Sequence, residues 1–264
     1  MSSGRAGRVR VLARKAWRMG GFVGITSALI PIYVTRDRLT RAADKTPVRN
    51  RWLRRWSGSL LRLFAVKVDY RDPPAPPARD PRGRLVVANH RSALDVGILL
   101  QHFGGRMVSR ADLSRWPVVG PAARSVGTVF VDRTSTLSGA ATIREVRALL
   151  RKGETVLVFP EGTTFEGDTV RPFQAGAFIG ALKTGATVVP VGIAYATGSE
   201  AAFVGESFTQ HLARMAGSGP TQVVVCVGEP TAVREGARAA DVAREAQEAV
   251  QGLVDVARRE VDAS

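Results

Sequence analysis

From Arg84 onward, short runs rich in valine alternate with longer segments whose apolar residues recur at helical spacing. The short runs predict strands, because β-branched residues favour extended backbone, and they cover residues 84–88, 107–109, 129–131, 155–159, 187–193 and 222–227. The longer segments predict helices at residues 93–103, 117–126, 138–152, 176–184 and 239–261. This alternation predicts an α/β fold with a mostly parallel central sheet flanked by helices. In such open sheets the functional site lies beyond the carboxyl ends of the strands.

The composition is that of a folded globular protein, with 45% hydrophobic and 23% charged residues in a chain of 264. This length suits one sizeable domain with a modest appendage, because single domains commonly contain about 100 to 250 residues. The single cysteine, Cys226, lies in an apolar run and is predicted to be buried on a strand. One cysteine also excludes a disulfide bond within the chain.

Positive charge is concentrated at the N-terminal end. The first 67 residues contain 16 lysines and arginines and two acidic residues, whereas the other 197 contain 22 basic and 21 acidic residues. Such asymmetry predicts a polyanionic partner, either anionic lipid or nucleic acid.

Two N-terminal segments favour lipid. Residues 19–34 carry no charge, but a spanning helix needs roughly 20 apolar residues, and Pro31 is expected to interrupt this segment. We therefore expect a re-entrant or interfacial segment, with a signal peptide as the alternative. Residues 49–64 predict an amphipathic helix with Trp52 and Trp56 on its apolar side, which suits the lipid headgroup boundary. The alternative is that this helix packs on the domain with its arginines in solvent.

These patterns divide the chain into three regions. Residues 1–67 are predicted to form a basic, apolar, membrane-docking helical region. Residues 68–83 include a proline-rich stretch and are predicted to be a linker, and residues 84–264 form the α/β domain.

His90 and Asp95 are the clearest candidates for chemistry. The first predicted strand ends just before His90, and Asp95 falls in the first turn of the next helix. An acid in this place can fix the imidazole tautomer, so that the other ring nitrogen accepts a proton from a hydroxyl. The alternative is a helix cap formed by Ser92 and Asp95, which explains neither Asn89 nor His90.

Two further segments follow predicted strands. Residues 127–133 end in Arg133, and residues 159–163 read FPEGT. An arginine beyond a strand end is a natural phosphate ligand, and a Gly-Thr turn offers backbone amides and a hydroxyl to the same anion.

Together these segments resemble the lysophosphatidic acid acyltransferase family, also called 1-acylglycerol-3-phosphate O-acyltransferases. The resemblance consists of an HxxxxD motif at His90 and Asp95, a GxxFVDR-like segment ending in Arg133, FPEGT at residues 159–163 and VVP at residues 188–190. The four motifs occur in the family's order and cover residues 85–191. The N-terminal region also resembles the family's membrane-docking helix pair.

The resemblance implies that His90, oriented by Asp95, deprotonates the hydroxyl of a lysolipid, which attacks the thioester of an acyl-CoA or acyl-carrier-protein donor. It implies no metal and no cofactor beyond that co-substrate. The residues that it assigns to substrate binding are Arg133, Glu161, Gly162 and Thr163 for the head group, Arg110 for phosphate, and Pro190 for the acyl site. Residues 84–264 would then be an acyltransferase domain.

The first acceptor that the resemblance implies is 1-acylglycerol-3-phosphate, which would give phosphatidic acid. Two departures reduce the number of cations near the head group: Thr164 replaces a frequent arginine and Gln174 a common lysine. The same motif strings also resemble lyso-ornithine lipid acyltransferases, whose acceptor lacks phosphate. Both acceptors therefore remain open at this point.

Other classes of protein fit less well. A nucleic-acid-binding protein would explain the basic end, but no known binding motif occurs, and we expect no nucleic-acid partner. No GxSxG elbow of a serine hydrolase is present, and His102 and His211 are expected at the surface. The predicted location is the cytoplasmic face of the cell membrane, with peripheral or monotopic attachment.

Overall fold

The structure is a computed structural model that describes residues 2–42, 44–71, 82–132 and 134–263. The helices are α1 (Ser2–Leu39), α2 (Thr46–Leu63), α3 (Leu94–Phe103), α4 (Val119–Ser125), α5 (Thr136–Arg151), α6 (Phe208–Gly217) and α7 (Ala239–Asp262). The strands are β1 (Val66–Arg71), β2 (Arg84–Ala88), β3 (Arg106–Arg110), β4 (Val129–Val131), β5 (Thr155–Val158), β6 (Thr187–Tyr195), β7 (Thr221–Val227) and β8 (Thr231–Ala232).

The sheet confirms the predicted α/β class. Its strand order is β1-β7-β6-β2-β5-β3-β4, with the short β8 on β6. Pairing is parallel from β6 through β2, β5 and β3 to β4, and antiparallel only where β6 meets β7 and β8. The carboxyl ends of β2, β5 and β3 are therefore neighbours, which brings His90, the segment from residue 159 and Arg110 to one edge of the sheet.

Alternating side chains of the central strands fill two separate cores. Val86 and Val189 pack beneath α1, α2 and α3, whereas Leu85 and Val188 pack against α5 and α7. Because these strands are covered on both faces, they read as continuous valine runs rather than as polar and apolar alternation. Cys226 on β7 is buried, as predicted.

The N-terminal helices are part of the main core. Phe22 of α1, Leu53 and Leu61 of α2, and Phe64 just after α2 belong to the cluster that contains the central strands. A boundary at residue 67 therefore does not separate two independently packed units. The predicted linker also began too early, because residues 68–71 continue strand β1, which pairs with β7. The proline-rich residues 72–81 lie outside the described residues.

Helix α1 runs without interruption through Pro31, contrary to the predicted break. Its inner face consists of Phe22, Thr26 and Tyr33, which are buried, whereas Pro31 and Ser27 lie on the exposed face. Proline removes one N–H and leaves the carbonyl four residues earlier without its helical partner. Here both groups lie on the outer side, so packing of the inner face keeps the helix continuous. No helix of the described residues is long and apolar enough to cross a membrane.

Two other predictions were wrong. The helix predicted at residues 176–184 is not formed. The chain has a 3₁₀ turn at Ala175–Ala177, followed by hydrogen-bonded turns. His211, expected at the surface, lies on α6 with 1% of its surface exposed. Helix α6 begins with a capping box between Ser207 and Gln210. That serine–glutamine spacing, together with Phe208, His211 and Met215 at helical intervals, is the sequence signal that could have predicted a buried His211.

Candidate active site

His90 and Asp95 lie together at the end of β2. His90 Nδ1 is 2.9 Å from Asp95 Oδ2, and the Asp95 carboxylate is fully buried. The same oxygen accepts the backbone N–H groups of Arg91 at 2.7 Å and Ser92 at 2.8 Å. Asp95 Oδ1 accepts the Tyr195 hydroxyl at 2.5 Å. Four donors thus hold the carboxylate: three follow the end of β2, and the fourth lies at the end of β6.

These contacts fix the tautomer of His90. An oxygen that already accepts two N–H groups acts as an acceptor toward the imidazole as well, so Nδ1 carries the proton. Nε2 then keeps its lone pair and is the basic nitrogen. The imidazole also stacks on Phe159, with ring centres 3.9 Å apart and planes 7° from parallel. Hydrogen bond and stacking together leave the ring little freedom to turn.

The helix cap considered as an alternative is present in part, beside the His90–Asp95 pair. The assigned N-cap residue of α3 is Ala93, which makes no side-chain capping bond. Ser92 Oγ nevertheless accepts the Leu94 N–H at 3.3 Å, and Asp95 accepts the Ser92 N–H at 2.8 Å.

Asn89 joins two strands, because its side-chain amide donates to the Ile193 carbonyl at 2.9 Å and accepts the Ile193 N–H at 2.8 Å. It thereby continues the β2–β6 pairing one residue beyond the backbone ladder and fixes the point where His90 leaves the sheet.

A buried ion pair supports the loop behind His90. Arg91 Nη1 and Glu161 Oε1 are 2.9 Å apart, with side chains 6% and 0% exposed. Glu161 also accepts the backbone N–H of His90 at 2.7 Å and of Arg171 at 2.9 Å. Its carboxylate is therefore directed into the protein. This placement differs from the predicted contact with a substrate head group.

An apolar cavity of about 460 Å³ opens beside His90. It lies between the sheet edge and helices α1, α2, α3 and α6, and Phe22, Trp56 and Leu60 are among its apolar walls. Gly162 and Thr163 line it close to His90, and Gly162 has a φ of 87°, which glycine adopts without strain. A volume of this size is typical of small-molecule sites.

Two of the remaining predicted residues, Arg110 and Pro190, lie in different places. Arg110 lines the cavity, but it is paired with Asp112 through two contacts of 3.0 Å. Pro190 lies on β6 next to Val189, on the opposite face of the sheet, and does not line this cavity. Arg133 lies outside the described residues.

Sequence reasoning missed a second group of residues at the site. The Tyr195 hydroxyl donates to Asp95. Burial, as the larger cause, and the nearby Asp95 charge, as the second, raise the pKa of Tyr195 well above its usual value. Phe203, Glu206 and His211 also line the cavity. They are distant in sequence from the motifs, so only the fold brings them together.

Comparisons with known proteins show which proteins this chain is similar to. A family model described as Acyltransferase matches residues 75–194. The chain is 34% identical over 251 residues to a lyso-ornithine lipid O-acyltransferase of Pseudomonas aeruginosa, covering 92% of this chain and 93% of that protein. It is 35% identical over 122 residues to a 1-acyl-sn-glycerol-3-phosphate acyltransferase of Neisseria gonorrhoeae, covering 46% of this chain and 47% of that protein.

A solved structure shares the fold. The crystal structure of the 1-acyl-sn-glycerophosphate (LPA) acyltransferase of Thermotoga maritima superposes with a TM-score of 0.69 at 22% identity, covering 95% of this chain and 97% of that one. The near full-length sequence match, together with the four motifs, shows that this chain belongs to the acyltransferase family.

Proposed function

We propose that this protein transfers a fatty acyl group from a thioester donor to the hydroxyl of a lysolipid, with His90 as general base. The observation that carries the proposal is the His90 imidazole, protonated at Nδ1 against Asp95 and lining an apolar cavity. A general base needs a basic nitrogen within reach of the hydroxyl, and an acyl chain needs apolar walls. Both requirements are met within one cavity.

The proposed reaction is a direct transfer. His90 Nε2 takes the proton of the acceptor hydroxyl while its oxygen attacks the thioester carbonyl carbon. The C–S bond then breaks, and the imidazolium returns its proton to the leaving thiolate. Asp95 stabilises the transient imidazolium because it is an ionised neighbour in a buried site. The step uses no metal and no cofactor other than acyl-CoA or acyl-carrier protein as co-substrate.

For the acceptor we favour a lyso-ornithine lipid over 1-acylglycerol-3-phosphate. Among the described cavity residues Arg110 is the only lysine or arginine, and Asp112 already neutralises it. Glu206 also lines the wall, but Arg214 pairs with it, so neither charge sign predominates there. Ornithine lipid carries no phosphate, which suits a described wall without an unpaired cation. The relative matched over nearly the whole chain is also a lyso-ornithine lipid O-acyltransferase.

We further propose that α1 and α2 hold the enzyme on the cytoplasmic face of the membrane, peripherally or monotopically. Leu12, Trp17 and Ile32 on the outer side of α1 are 65%, 72% and 48% exposed. A groove along α2 is lined by Arg51, Arg54, Arg55 and Arg62. Exposed apolar side chains beside arginines are typical of helices that lie at an anionic lipid surface. Vesicle binding, described in the Discussion, tests this proposal.

Acyl transfer is tested with purified protein, acyl-CoA or acyl-carrier protein, and either lyso-ornithine lipid or 1-acylglycerol-3-phosphate. We expect the diacyl product with lyso-ornithine lipid, and loss of at least about a hundredfold in rate for His90→Ala, as is typical when a general base is removed. His102→Ala is the matched control, because His102 stacks on Tyr70 and does not line the cavity. Absence of product with both acceptors, or equal activity of His90→Ala and the wild type, would contradict the proposal.

A further inference from the structure

A second histidine–carboxylate pair lies beside the first. His211 Nδ1 is 3.0 Å from Glu206 Oε1, and the imidazole stacks on Phe203 with ring centres 4.5 Å apart. His211 is 1% exposed, yet it lines the cavity that also contains His90. The reaction proposed above uses none of these three side chains. Burying a histidine is costly unless its nitrogens have partners, so the contacts of the second nitrogen are informative.

The other nitrogen of His211 reaches the turn that carries Asp95. His211 Nε2 lies 3.3 Å from Ser92 Oγ. Ser92 is fully buried, and its backbone bonds to Asp95 in both directions: its N–H donates to Asp95 Oδ2 at 2.8 Å, and its carbonyl accepts the Asp95 N–H at 3.2 Å. A shift of Ser92 would therefore move the oxygen that orients His90.

Two charged side chains, Glu206 and Arg214, face the Nδ1 side of His211. Arg214 bonds to Glu206 and helps lower the pKa of that carboxyl. Burial lowers the pKa of His211, although Glu206 acts in the opposite direction. His211 Nδ1 faces both Glu206 Oε1 at 3.0 Å, which accepts, and Arg214 Nη2 at 3.1 Å, which donates. With the proton on Nδ1, the Ser92 hydroxyl donates to Nε2; with the proton on Nε2, His211 donates to Ser92 Oγ. In both tautomers the same hydrogen bond joins His211 to Ser92.

We propose that His211 is a positioning residue of the acyltransferase: held by Glu206, it fixes the Ser92 hydroxyl and, through the Ser92 backbone, the orientation of Asp95 toward His90. It also ties α6, a wall of the cavity, to the catalytic turn. The kinetic part of this proposal rests on the proposed acyl transfer, whereas the geometric part does not.

A double-mutant cycle tests whether His211 acts through Ser92. We expect His211→Phe and Ser92→Ala each to lower kcat about tenfold with little change in acceptor KM, and the double variant to be no slower than the slower single variant. His211→Gln keeps a hydrogen-bonding group near the position of Nε2 and should recover part of the loss. Ala216→Gly is the packing control, since Ala216 is equally buried on α6 and does not line the cavity. Losses that multiply, a change confined to KM, or an equal loss in Ala216→Gly would overturn the proposal.

Nuclear magnetic resonance gives a test without catalysis. The chain contains three histidines, so ¹⁵N resonances of the rings can be assigned with His102→Gln and His211→Gln. We expect His90 to be the Nδ1–H tautomer in the wild type and in Ala216→Gly, and a mixture of tautomers in His211→Phe. Unaltered His90 resonances in His211→Phe would overturn the positioning role. If the wild type acylates no lysolipid while these shifts occur, the proposed function fails and the positioning role stands.

Discussion

At the scale of single residues, the Asp95 carboxylate determines how His90 is presented. One of its oxygens accepts three N–H donors and the other accepts the Tyr195 hydroxyl. An asparagine would offer one acceptor oxygen and an NH₂ group, which cannot satisfy all four donors. The ring of His90 would then lose both its fixed tautomer and a stabilising charge.

We therefore expect Asp95→Asn to lower kcat by about 10² to 10⁴-fold, the range that general-base catalysis commonly contributes. Acceptor KM should change much less, because Asp95 is buried behind His90. Steady-state kinetics at several acceptor concentrations measures both. Asp255→Asn on the exposed side of α7 is the control for the loss of one charge. A rise in KM with unchanged kcat would contradict this role for Asp95.

Substitution of Glu161 distinguishes its predicted contact with a substrate head group from its observed place in a buried ion pair with Arg91. If Glu161 supports the loop, Glu161→Gln leaves the buried Arg91 guanidinium without an opposite charge. Breaking a buried ion pair in this way typically lowers the free energy of unfolding by about 3 kcal/mol or more. For a chain of this size, this loss corresponds to a fall in Tm of about 6 to 12 °C. Thermal denaturation by circular dichroism gives the Tm.

The control is Thr163→Val at the exposed neighbouring position, which should leave Tm unchanged. If Glu161→Gln keeps its Tm and raises only the acceptor KM, Glu161 binds the head group as the motif resemblance implied.

The residues predicted from the sequence are those that follow strands in short motifs. His90 and Asp95 were predictable because only four residues lie between them, across a strand end and a helix start. Tyr195 and His211 were not, since their contacts with Asp95 and Ser92 depend on the order of β6 and α6 in space. Pro190, which the resemblance assigns to the acyl site, lies on the face of the sheet away from the cavity, because a motif does not show which face a side chain occupies.

At the scale of elements, α1 is held to the body by more than apolar contacts. The Arg18 guanidinium donates to the Ser218 carbonyl at 2.8 Å and to the Met215 and Ala216 carbonyls at 3.4 Å. These carbonyls lie at the C-terminal end of α6, where a cation is also favoured by the helix dipole. Arg49 of α2 forms a buried pair with Glu154. Arg18 and Arg49, two of the basic residues that the sequence suggested for lipid contact, therefore stabilise the fold.

Pro31 gives a prediction for α1 itself. Because the helix is continuous, Pro31→Ala should restore one backbone hydrogen bond and raise the free energy of unfolding, by at most about 3 kcal/mol. Urea denaturation followed by circular dichroism measures the change. Ser27→Ala on the same exposed face, which changes propensity without adding an N–H, is the control. A loss of stability in Pro31→Ala would indicate that α1 requires the proline for its path.

At the scale of the whole molecule, the N-terminal region cannot be treated as a detachable anchor. Deleting residues 1–67 would remove Leu53, Leu61 and Phe64 from the main core and shorten β1 at the sheet edge. Such a truncation would expose core residues and confuse unfolding with loss of membrane binding. A division into regions was predicted from charge and proline content, neither of which reports on packing. Point substitutions on the exposed faces are the appropriate test.

We expect Trp17→Glu to weaken binding to both neutral and anionic vesicles, because it places a charge on the exposed apolar face of α1. The pair Arg51→Glu and Arg55→Glu should weaken binding only to anionic vesicles, and wild-type binding to these should fall between 0.1 M and 1 M salt, where the screening length shortens from about 10 Å to 3 Å. Flotation of the protein with vesicles measures the binding of the Trp17 variant, the α2 double variant and the wild type at each salt concentration.

The matched control is Arg244→Glu with Arg259→Glu on α7, which changes net charge equally on the opposite face of the sheet. If this control loses as much binding as the α2 pair, attraction depends on net charge alone and no docking face exists. Binding to DNA with none to anionic vesicles would instead favour the nucleic-acid partner. We expect the α7 control to keep its vesicle binding and the α1 and α2 variants to lose it. That result would place the mouth of the cavity, which has Phe22 and Trp56 in its walls, at the lipid surface. An acceptor would then enter the cavity from the lipid.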